Sequence, residues 1–234
     1  MTTLAIIPAG GAGRRMGGSA PKQYRPLAGV PVIIHTLRAF QSASVIDEIY
    51  LVVPEGDIPE VTSGIVARYA LTKVSRIFAG GAERQDSVRN ALAHVREEHG
   101  IIVVHDGVRP FVSGELIRRA VAAAGEYGAA SVGVPVRDTV KEVSPAGWVV
   151  KTVPREGLWL TQTPQAFQRP LIQAAYEKAG QEGFSGTDDA SVVERLGVPV
   201  RMIPGESDNI KLTTPEDLLL GEVILRRFSE AKAG

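Results

Sequence analysis

The sequence predicts an α/β fold in which a mostly parallel sheet is flanked by helices and carries a protruding β-hairpin arm. Two observations support the sheet and its helices, and a third supports the arm. Short apolar runs alternate with longer amphipathic segments, as in parallel strands joined by helical crossovers. Most of the short runs are rich in β-branched residues. Near residues 137–156 the pattern changes to two stretches that alternate apolar and polar residues, which is typical of a hairpin.

The short apolar runs are predicted to be strands, because each is too short for a typical helix. Five of them read as buried strands: LAIIP (4–8), EIYLVVP (48–54), KVSRIFA (73–79), GIIVVHD (100–106) and AASVGVPV (129–136). Two late strands are predicted at VPVRMI (198–203) and NIKLT (209–213).

Between the strands lie segments with helical spacing of apolar residues, at 31–43, 83–99 and 113–127. The first has Pro31 near its start, and Ser113 is placed to cap the third. The chain closes with an amphipathic helix, for which Thr214 is the predicted cap and Pro215 the first-turn residue.

The predicted arm is RDTVKEVSPAGWVVKTVP (137–154), two alternating stretches around a Ser-Pro-Ala-Gly turn. An isolated two-stranded hairpin is marginally stable in water, so the arm is expected to pack on a second copy of the chain. The sequence therefore predicts a homodimer of one domain, residues 1–234, with the arm at about 137–156.

Composition excludes several classes of function. Lys plus Arg equals Asp plus Glu at 26 each, so the chain lacks the basic excess of a general nucleic-acid binder. The absence of cysteine excludes disulfides, thiolate nucleophiles and zinc-thiolate sites. No apolar run approaches a membrane span of roughly 18 residues, and no secretory leader is apparent. A cytoplasmic protein without a membrane partner is expected.

A glycine-rich, basic loop follows the first strand directly. Its glycines are Gly10, Gly11 and Gly13, and glycines at a strand's carboxyl end let the backbone approach a phosphate closely. The nearby cations are Arg14, Arg15 and Lys22. Several cations in one loop favour a polyanion such as a nucleoside triphosphate, whereas the alternative is a simple glycine-rich turn with surface arginines.

A dinucleotide-dependent oxidoreductase is an alternative of a different class, with Glu55 as the acid that binds the ribose. Met16 stands where the third glycine of that fingerprint belongs, and the surplus of cations also counts against it. The loop also lacks the Gly-Lys-Ser/Thr of a Walker motif.

The loop resembles the signature of nucleotidyltransferases that join a sugar or polyol phosphate to a nucleoside triphosphate. In detail the chain is similar to the 2-C-methyl-D-erythritol 4-phosphate cytidylyltransferase family of the non-mevalonate isoprenoid pathway, from Ile6 to about Leu218. The motifs in order are PAGGAGRRM (8–16), PKQY (21–24), GGAERQDSV (80–88), HDGVRP (105–110), VRDTVK (136–141), TPQAF (163–167), TDDAS (187–191) and DNIKLTTPEDL (208–218). The order and spacing of these motifs carry the resemblance.

This resemblance implies a Rossmann-like sheet and transfer of a cytidylyl group from CTP to methylerythritol phosphate, with Mg²⁺ as cofactor. It implies that Arg15 and Lys22 stabilise the transition state at the α-phosphate and the leaving pyrophosphate. The nucleotide-binding positions that it implies are Pro8, Ala9, Gly10, Gly11, Gly13, Gly80, Gly81 and Ser87. Ser87 could equally be a plain first-turn residue, and Arg84 a structural salt-bridge partner.

The acceptor side of the site is implied in the same way. Lys211 matches the lysine that orients the acceptor phosphate, and Thr139 and Arg155 match arm residues that reach the acceptor across the dimer. Arg109 and the stretch Thr163-Pro164-Gln165 match the acceptor pocket. The alternative acceptor is ribitol 5-phosphate, whose cytidylyltransferases share the loop and the arm. A non-catalytic nucleotide sensor is less consistent with four retained basic residues.

Two carboxylates are the predicted metal ligands. Asp106 ends the strand taken as most central, where a carboxylate suits magnesium or a substrate hydroxyl. Asp208 is the second candidate. The adjacent His105 is expected to be a packed strand residue rather than a base, and residues 187–189 are either a helix cap or part of the site.

Overall fold

A computed structural model describes residues 1–11 and 21–233. Its centre is a seven-stranded sheet, whose strands are β1 (Thr2–Pro8), β4 (Glu48–Val53), β5 (Val74–Ala79), β6 (His99–Val104), β7 (Ala129–Pro135), β10 (Trp159–Gln168) and β11 (Arg201–Pro204). Their spatial order is β11-β7-β10-β6-β1-β4-β5. The five predicted strands and the α/β class are confirmed. Four of these strands are mostly buried as predicted, whereas β5 lies at the edge of the sheet and has no fully buried residue.

The sheet is mostly parallel, with one exception that the sequence did not predict. Strand β10 lies between β6 and β7 and runs antiparallel to both. Its pairing with β7 is interrupted between Gln162 and Gln165. The β10 segment therefore returns the chain from the arm to the middle of the sheet.

In the described ranges six α-helices lie between strands and a seventh follows β11: α1 (Val32–Ser42), α2 (Ile58–Glu60, continued by a π-helix over Val61–Ala67), α3 (Arg84–Leu92), α4 (Gly114–Tyr127), α5 (Arg169–Glu182), α6 (Asp189–Glu194) and α7 (Pro215–Ala233). Helix α4 begins as predicted, because the Ser113 hydroxyl accepts a hydrogen bond from the Leu116 amide at 3.0 Å. The α1 and α7 predictions are also confirmed.

Alternation along β1 explains how both faces of the sheet are covered. Ala5 and Ile7 point into one apolar cluster with α1 and α4, while Leu4 and Ile6 point into a second with α3, α5 and α6. All four side chains are fully buried. Helices on both faces protect a sheet whose central strands are apolar on each side.

Two boundaries differ from the sequence prediction. Helix α3 ends at Leu92, whereas helical spacing predicted a helix to residue 99. Residues 209–213, predicted to be a strand, are irregular, and their Leu212 amide bonds the Val108 carbonyl at 2.9 Å. The Asn209 and Ile210 amides bond carbonyls three and two residues back, which turns the chain instead of extending it.

The predicted arm is a two-stranded hairpin of β8 (Val140–Val143) and β9 (Val149–Val153). A second, smaller hairpin joins β2 (Pro26–Leu27) to β3 (Val30–Pro31) just before α1. Across the described ranges, no helix combines the length and apolar character that a bilayer span requires.

Candidate active site

The glycine-rich loop after β1 and the loop after β5 lie side by side at the carboxyl edge of the sheet. The Ala9 amide bonds the Val52 carbonyl at 2.7 Å, and the Gly80 amide bonds the Val53 carbonyl at 2.8 Å. A Cβ atom added to Gly10 would lie 3.9 Å from the Gly80 Cα atom. The two loops thus form one wall, as expected where ligands gather in an open parallel sheet.

A cavity of about 260 Å³ opens against this wall. Of the predicted nucleotide-binding residues, it is lined by Pro8, Ala9, Gly10, Gly11, Gly81 and Ser87, together with Lys22. A Cβ on Gly11 would meet the Lys22 ammonium at 3.7 Å, so this cation lies directly beside the loop backbone. Gly80 supports the wall without lining the cavity, and Gly13 and Arg15 lie outside the described residues.

Ser87 fixes the second loop. Its hydroxyl accepts from the Gly81 amide and donates to the Glu83 carbonyl, both at 3.1 Å, and it is 4% exposed. Glu83 and Asp86 form a capping box at the start of α3. Ser87 therefore holds the loop backbone in place and also lines the cavity.

Three cations surround the buried Asp106 carboxylate. Arg84 Nε lies 2.9 Å from Oδ1, whereas Lys211 Nζ lies 2.8 Å and Arg109 Nε 3.6 Å from Oδ2. Burial alone would raise the pKa of Asp106, but the charges of Arg84, Lys211 and Arg109 outweigh it and hold this pKa well below its usual value. Asp106 is therefore ionised, and the cluster has a surplus of positive charge.

A second cavity, of about 230 Å³, adjoins the first. Arg84, Asp106 and Lys211 line both cavities, so the cation cluster forms the boundary between them. The predicted acceptor residues Arg109 and Thr163 line the second cavity, as do Thr187 and Asp188. Asp188 is also the N-cap of α6, which unites the two interpretations of residues 187–189.

A chain of buried hydrogen bonds through His105 and Thr163 holds the backbone of Asp106. His105 Nε2 lies 3.1 Å from the Arg109 carbonyl, which can only accept, so Nε2 carries the proton. His105 Nδ1 then accepts from the Thr163 hydroxyl at 3.0 Å, and that oxygen accepts from the Asp106 amide at 3.1 Å. Burial lowers the pKa of His105 to about 4, so its ring is neutral at pH 7.

Other predicted site residues are placed elsewhere. Thr139 and Arg155 are exposed on or beside the arm and line neither cavity, and Arg155 donates to the Arg137 carbonyl. Asp208 pairs with the exposed Arg227, with Oδ2 2.9 Å from NH2. A single chain does not bring these three residues into the cavities.

The predicted metal ligands do not form a cage of carboxylates. Across residues 1–11 and 21–233, no three His, Cys, Asp or Glu side chains are grouped to hold a metal ion. Asp106, which lines both cavities, is already paired with cations. These residues fit magnesium only in its usual phosphate-site form, with one protein carboxylate, water and substrate phosphates as ligands.

Two buried glutamines line the cavities; the resemblance placed Gln165 in the acceptor pocket, whereas Gln23 was missed. Gln23 lines the first cavity, is 0% exposed, and has neither amide atom hydrogen-bonded within the described part of the chain. Gln165 lines the second and bonds Asp188 Oδ2 and the Ala190 amide at 2.7 and 2.9 Å. Gln23 lies inside the PKQY motif (21–24), so only its buried position in the cavity wall was unforeseen.

Comparison with known proteins identifies close relatives. Residues 3–227 match the family model described as 2-C-methyl-D-erythritol 4-phosphate cytidylyltransferase. The chain is 54% identical over 224 residues to the enzyme of that name from Syntrophus aciditrophicus, covering 96% of each protein. It is 47% identical over 234 residues to the one from Geotalea uraniireducens, covering 99% of this chain and 100% of the relative.

Solved structures agree. A 4-diphosphocytidyl-2C-methyl-D-erythritol synthase from Anaerococcus prevotii superposes with a TM-score of 0.84 at 30% identity, over 96% of each chain. The 2-C-methyl-D-erythritol 4-phosphate cytidylyltransferase from Thermus thermophilus gives 0.79 at 34% identity, over 97% of this chain and 100% of the other.

Proposed function

Because this chain belongs to the 2-C-methyl-D-erythritol 4-phosphate cytidylyltransferase family, we propose that it transfers the cytidylyl group of CTP to 2-C-methyl-D-erythritol 4-phosphate. The products are 4-diphosphocytidyl-2-C-methyl-D-erythritol and pyrophosphate. The observation that carries the proposal is the pair of adjoining cavities with a shared boundary of Arg84, Asp106 and Lys211. Two anionic reactants that must meet need adjacent sites separated by cations.

The reaction is an in-line displacement. An oxygen of the acceptor phosphate forms a bond to the α-phosphorus, while the bond from that phosphorus to the bridging β-phosphate oxygen breaks. The electron pair of the broken bond leaves with pyrophosphate. The nucleophile is already ionised, so the protein's task is to position both anions and to stabilise the charge that grows in the transition state.

The first cavity is the proposed CTP site. Its backbone donors are the Gly10 and Gly11 amides, because the preceding proline has no N–H and the Ala9 amide is already bonded to the Val52 carbonyl. Lys22, beside Gly11, supplies positive charge to the triphosphate. Arg15, outside the described residues, is proposed to act with Lys22. Ser87 and Gly81 hold the loop that faces the nucleoside.

The second cavity is the proposed acceptor site. Lys211 lies on the boundary, 2.8 Å from Asp106, where its ammonium can turn to an incoming acceptor phosphate. Arg109 and Thr163 line the same cavity, and Asp106 offers a carboxylate to the acceptor's hydroxyl groups. The chain's own groups thereby hold the attacking oxygen toward the nucleotide cavity.

Magnesium is the proposed cofactor. Asp106 is the residue that would hold it, with the phosphates of CTP supplying further ligands. When bound, the ion neutralises charge on the triphosphate. Asp208 is directed to Arg227, which makes it the weaker candidate ligand.

We propose that the enzyme is a homodimer whose arms complete the acceptor sites. The arm exposes apolar side chains, Trp148 at 77% and Val149 and Val150 at 60%, which favours a covered surface. Thr139 and Arg155 line neither cavity of their own chain, so a second copy is the source that would bring them to the acceptor. A one-domain organisation and a cytoplasmic location stay predictions.

The test of the activity is pyrophosphate release from CTP and Mg²⁺ with methylerythritol phosphate, with ribitol 5-phosphate in parallel and ATP, UTP and GTP as nucleotide controls. Release with CTP and methylerythritol phosphate alone is expected. Release with ribitol 5-phosphate instead would identify that compound as the acceptor. Binding of NADH without binding of CTP would overturn the transferase proposal.

The test of the shared site mixes two inactive variants. Arg155→Ala and Lys22→Ala subunits should form heterodimers in which one of the two sites has both residues intact. Activity should therefore return on mixing. Proven heterodimers that stay inactive would place Arg155 in the site of its own chain.

A further inference from the structure

A partly buried ion-pair chain links the nucleotide loop to the start of α6, directly after two residues that line the acceptor cavity. Arg84 is the first residue of α3 and follows the loop that Ser87 holds. Its Nε donates to Asp106 Oδ1 at 2.9 Å, and its NH2 donates to Asp189 Oδ2 at 2.7 Å. One guanidinium therefore joins two carboxylates that are 22 and 105 residues away along the chain.

Asp189 does not line either cavity, yet it is fully buried. Its other oxygen, Oδ1, accepts from the Tyr176 hydroxyl at 2.5 Å, so both of its oxygens are occupied. It begins α6 directly after Thr187 and Asp188, which line the acceptor cavity. A buried carboxylate with two strong partners has a fixed position, and it fixes the guanidinium in turn.

The electrostatics agree with this geometry. Burial opposes the charge on Arg84, but Asp189 and Asp106 more than offset it and raise the pKa of Arg84 further above its already high value. Burial and Asp189 likewise raise the pKa of Tyr176. Arg84 is therefore permanently charged and Tyr176 permanently protonated, so the chain keeps one set of donors and acceptors at all working pH values.

Asp106 needs such an anchor because its other partner is proposed to move. In the free protein Lys211 lies 2.8 Å from Asp106 Oδ2. When Lys211 turns to the acceptor phosphate, the carboxylate loses that contact. The Arg84 fork, itself held by Asp189, then keeps Oδ1 in place.

We propose that Arg84 and Asp189 are positioning residues that hold Asp106, and through it Lys211, in one geometry for both substrates. This inference rests on the proposed function. It goes beyond the residues assigned above, because Asp189 touches neither cavity and acts only through Arg84. A substitution of Asp189 should therefore lower kcat/KM for CTP as well as for the acceptor.

The test is steady-state kinetics with CTP and methylerythritol phosphate on Arg84→Lys, Asp189→Asn and the double variant. Lysine keeps the charge of Arg84 but lacks the planar fork that reaches two carboxylates. Each single variant should lower kcat/KM for both substrates by about 10- to 100-fold, as expected for a misplacement of about 1 Å. The double variant should be no worse than the poorer single one, since both break the same link.

Arg89→Lys is the matched control. Arg89 lies on the same helix and pairs with Asp86 at 2.7 Å, but it is partly exposed and lines neither cavity of the site. Its kcat/KM values should stay within about twofold of the parent's, as is usual for exposed ion pairs. A loss equal to that of Arg84→Lys would overturn the proposal, because any change on α3 would then suffice.

Thermal unfolding separates positioning from plain stabilisation. Variants with a lower Tm but unchanged kcat/KM for both substrates would overturn the proposal. It would also be overturned if the losses in kcat/KM multiplied in the double variant, or if only the kcat/KM for methylerythritol phosphate fell. If Asp189→Asn does not fold, Tyr176→Phe frees Asp189 Oδ1 without leaving a charge unpaired, and it should lower both kcat/KM values in a smaller, parallel way. A parent protein inactive with CTP would overturn the proposed function, whereas an active parent with unaffected variants would overturn this inference only.

Discussion

Lowering the pH should destabilise the protein through His105, which is fully buried against the Phe40 ring and next to Asp106. Burial lowers its pKa from the ordinary histidine value of 6.5 to about 4 in the folded chain. Between these two pH values the unfolded chain binds a proton at His105 and the folded chain does not. The free energy of unfolding must therefore fall as the pH falls from about 6.5 to about 4.

The size of the effect follows from the shift. Each pKa unit corresponds to about 1.4 kcal/mol, so a shift of 6.5 minus about 4 represents roughly 3 kcal/mol. The contribution is fully present above pH 6.5 and is lost progressively below it. Domains are typically stable by about 5–15 kcal/mol, so this loss is a large fraction of the total.

The assay is urea unfolding of the parent and of His105→Gln at half-unit steps from pH 4 to pH 7.5. Near pH 5 the parent's free energy of unfolding should change by about 1.2 kcal/mol per pH unit more than that of the variant. Burial also lowers the pKa of His35, but that group is present in both proteins, so the difference isolates His105. Parallel curves would refute the reasoning, as would an NMR titration in which the folded His105 ring gains its proton near pH 6.5.

Three further predictions concern Lys22, Gln23 and a pair of glycines. In pyrophosphate-release kinetics, Lys22→Ala should lower kcat by about 10²- to 10³-fold with little change in the KM for methylerythritol phosphate. The reason is that this cation acts mainly on the transition state. An unchanged kcat would contradict the proposed role of Lys22. Gln23→Met removes two buried amide atoms that lack a hydrogen-bond partner in the described part of the chain, so it should raise Tm by a few degrees in a thermal melt. A lower Tm would mean that this amide is satisfied in the folded protein. Gly81→Ala places a Cβ in steric overlap with Asp86 Cβ and should lower the free energy of unfolding by about 1–3 kcal/mol. Gly125→Ala, which has open space around it in α4, should instead raise it by about 0.5–1 kcal/mol. Equal effects of the two substitutions in urea unfolding would show that the Gly81 contact relaxes freely.

Local sequence patterns predicted the parallel part of the sheet and missed its antiparallel strand. Four of the five early strands are mostly apolar runs, which is how strands covered on both faces read in a sequence. The fifth, β5, lies at the edge of the sheet and includes Ser75 and Arg76. Strand β10 instead reads WLTQTPQAFQ, with a proline and three glutamines. Gln162 and Gln165 are buried because they bond residues distant in sequence: Gln165 bonds Asp188, and Gln162 bonds the Glu206 carbonyl. No local pattern contains that information.

The candidate site also has a part that local sequence patterns predicted and a part that they did not. The loops at the ends of β1 and β5 were predictable, because glycine next to a strand end is a local signal. Only family resemblance implied that Lys211 and Asp106 belong to one site, since they are 105 positions apart in the chain. Their 2.8 Å ion pair was not predicted. The contact of Asp189 with Arg84 was not predictable from the sequence. An acidic residue at this point reads as part of a helix start, and only the folded chain brings the Arg84 side chain to it.

The arm leaves and re-enters the sheet at neighbouring points, since Pro135 pairs with Trp159 and the Val136 amide bonds the Leu158 carbonyl at 3.0 Å. The hairpin is thus a detachable module: residues 137–157 could be replaced by a two-residue Asn-Gly turn with every strand of the main sheet retained. Such a shortened chain would keep the first cavity and lose Thr139 and Arg155 in one deletion. It would be a minimal scaffold for studying nucleotide recognition apart from transfer, and a small target for inhibitor crystallography.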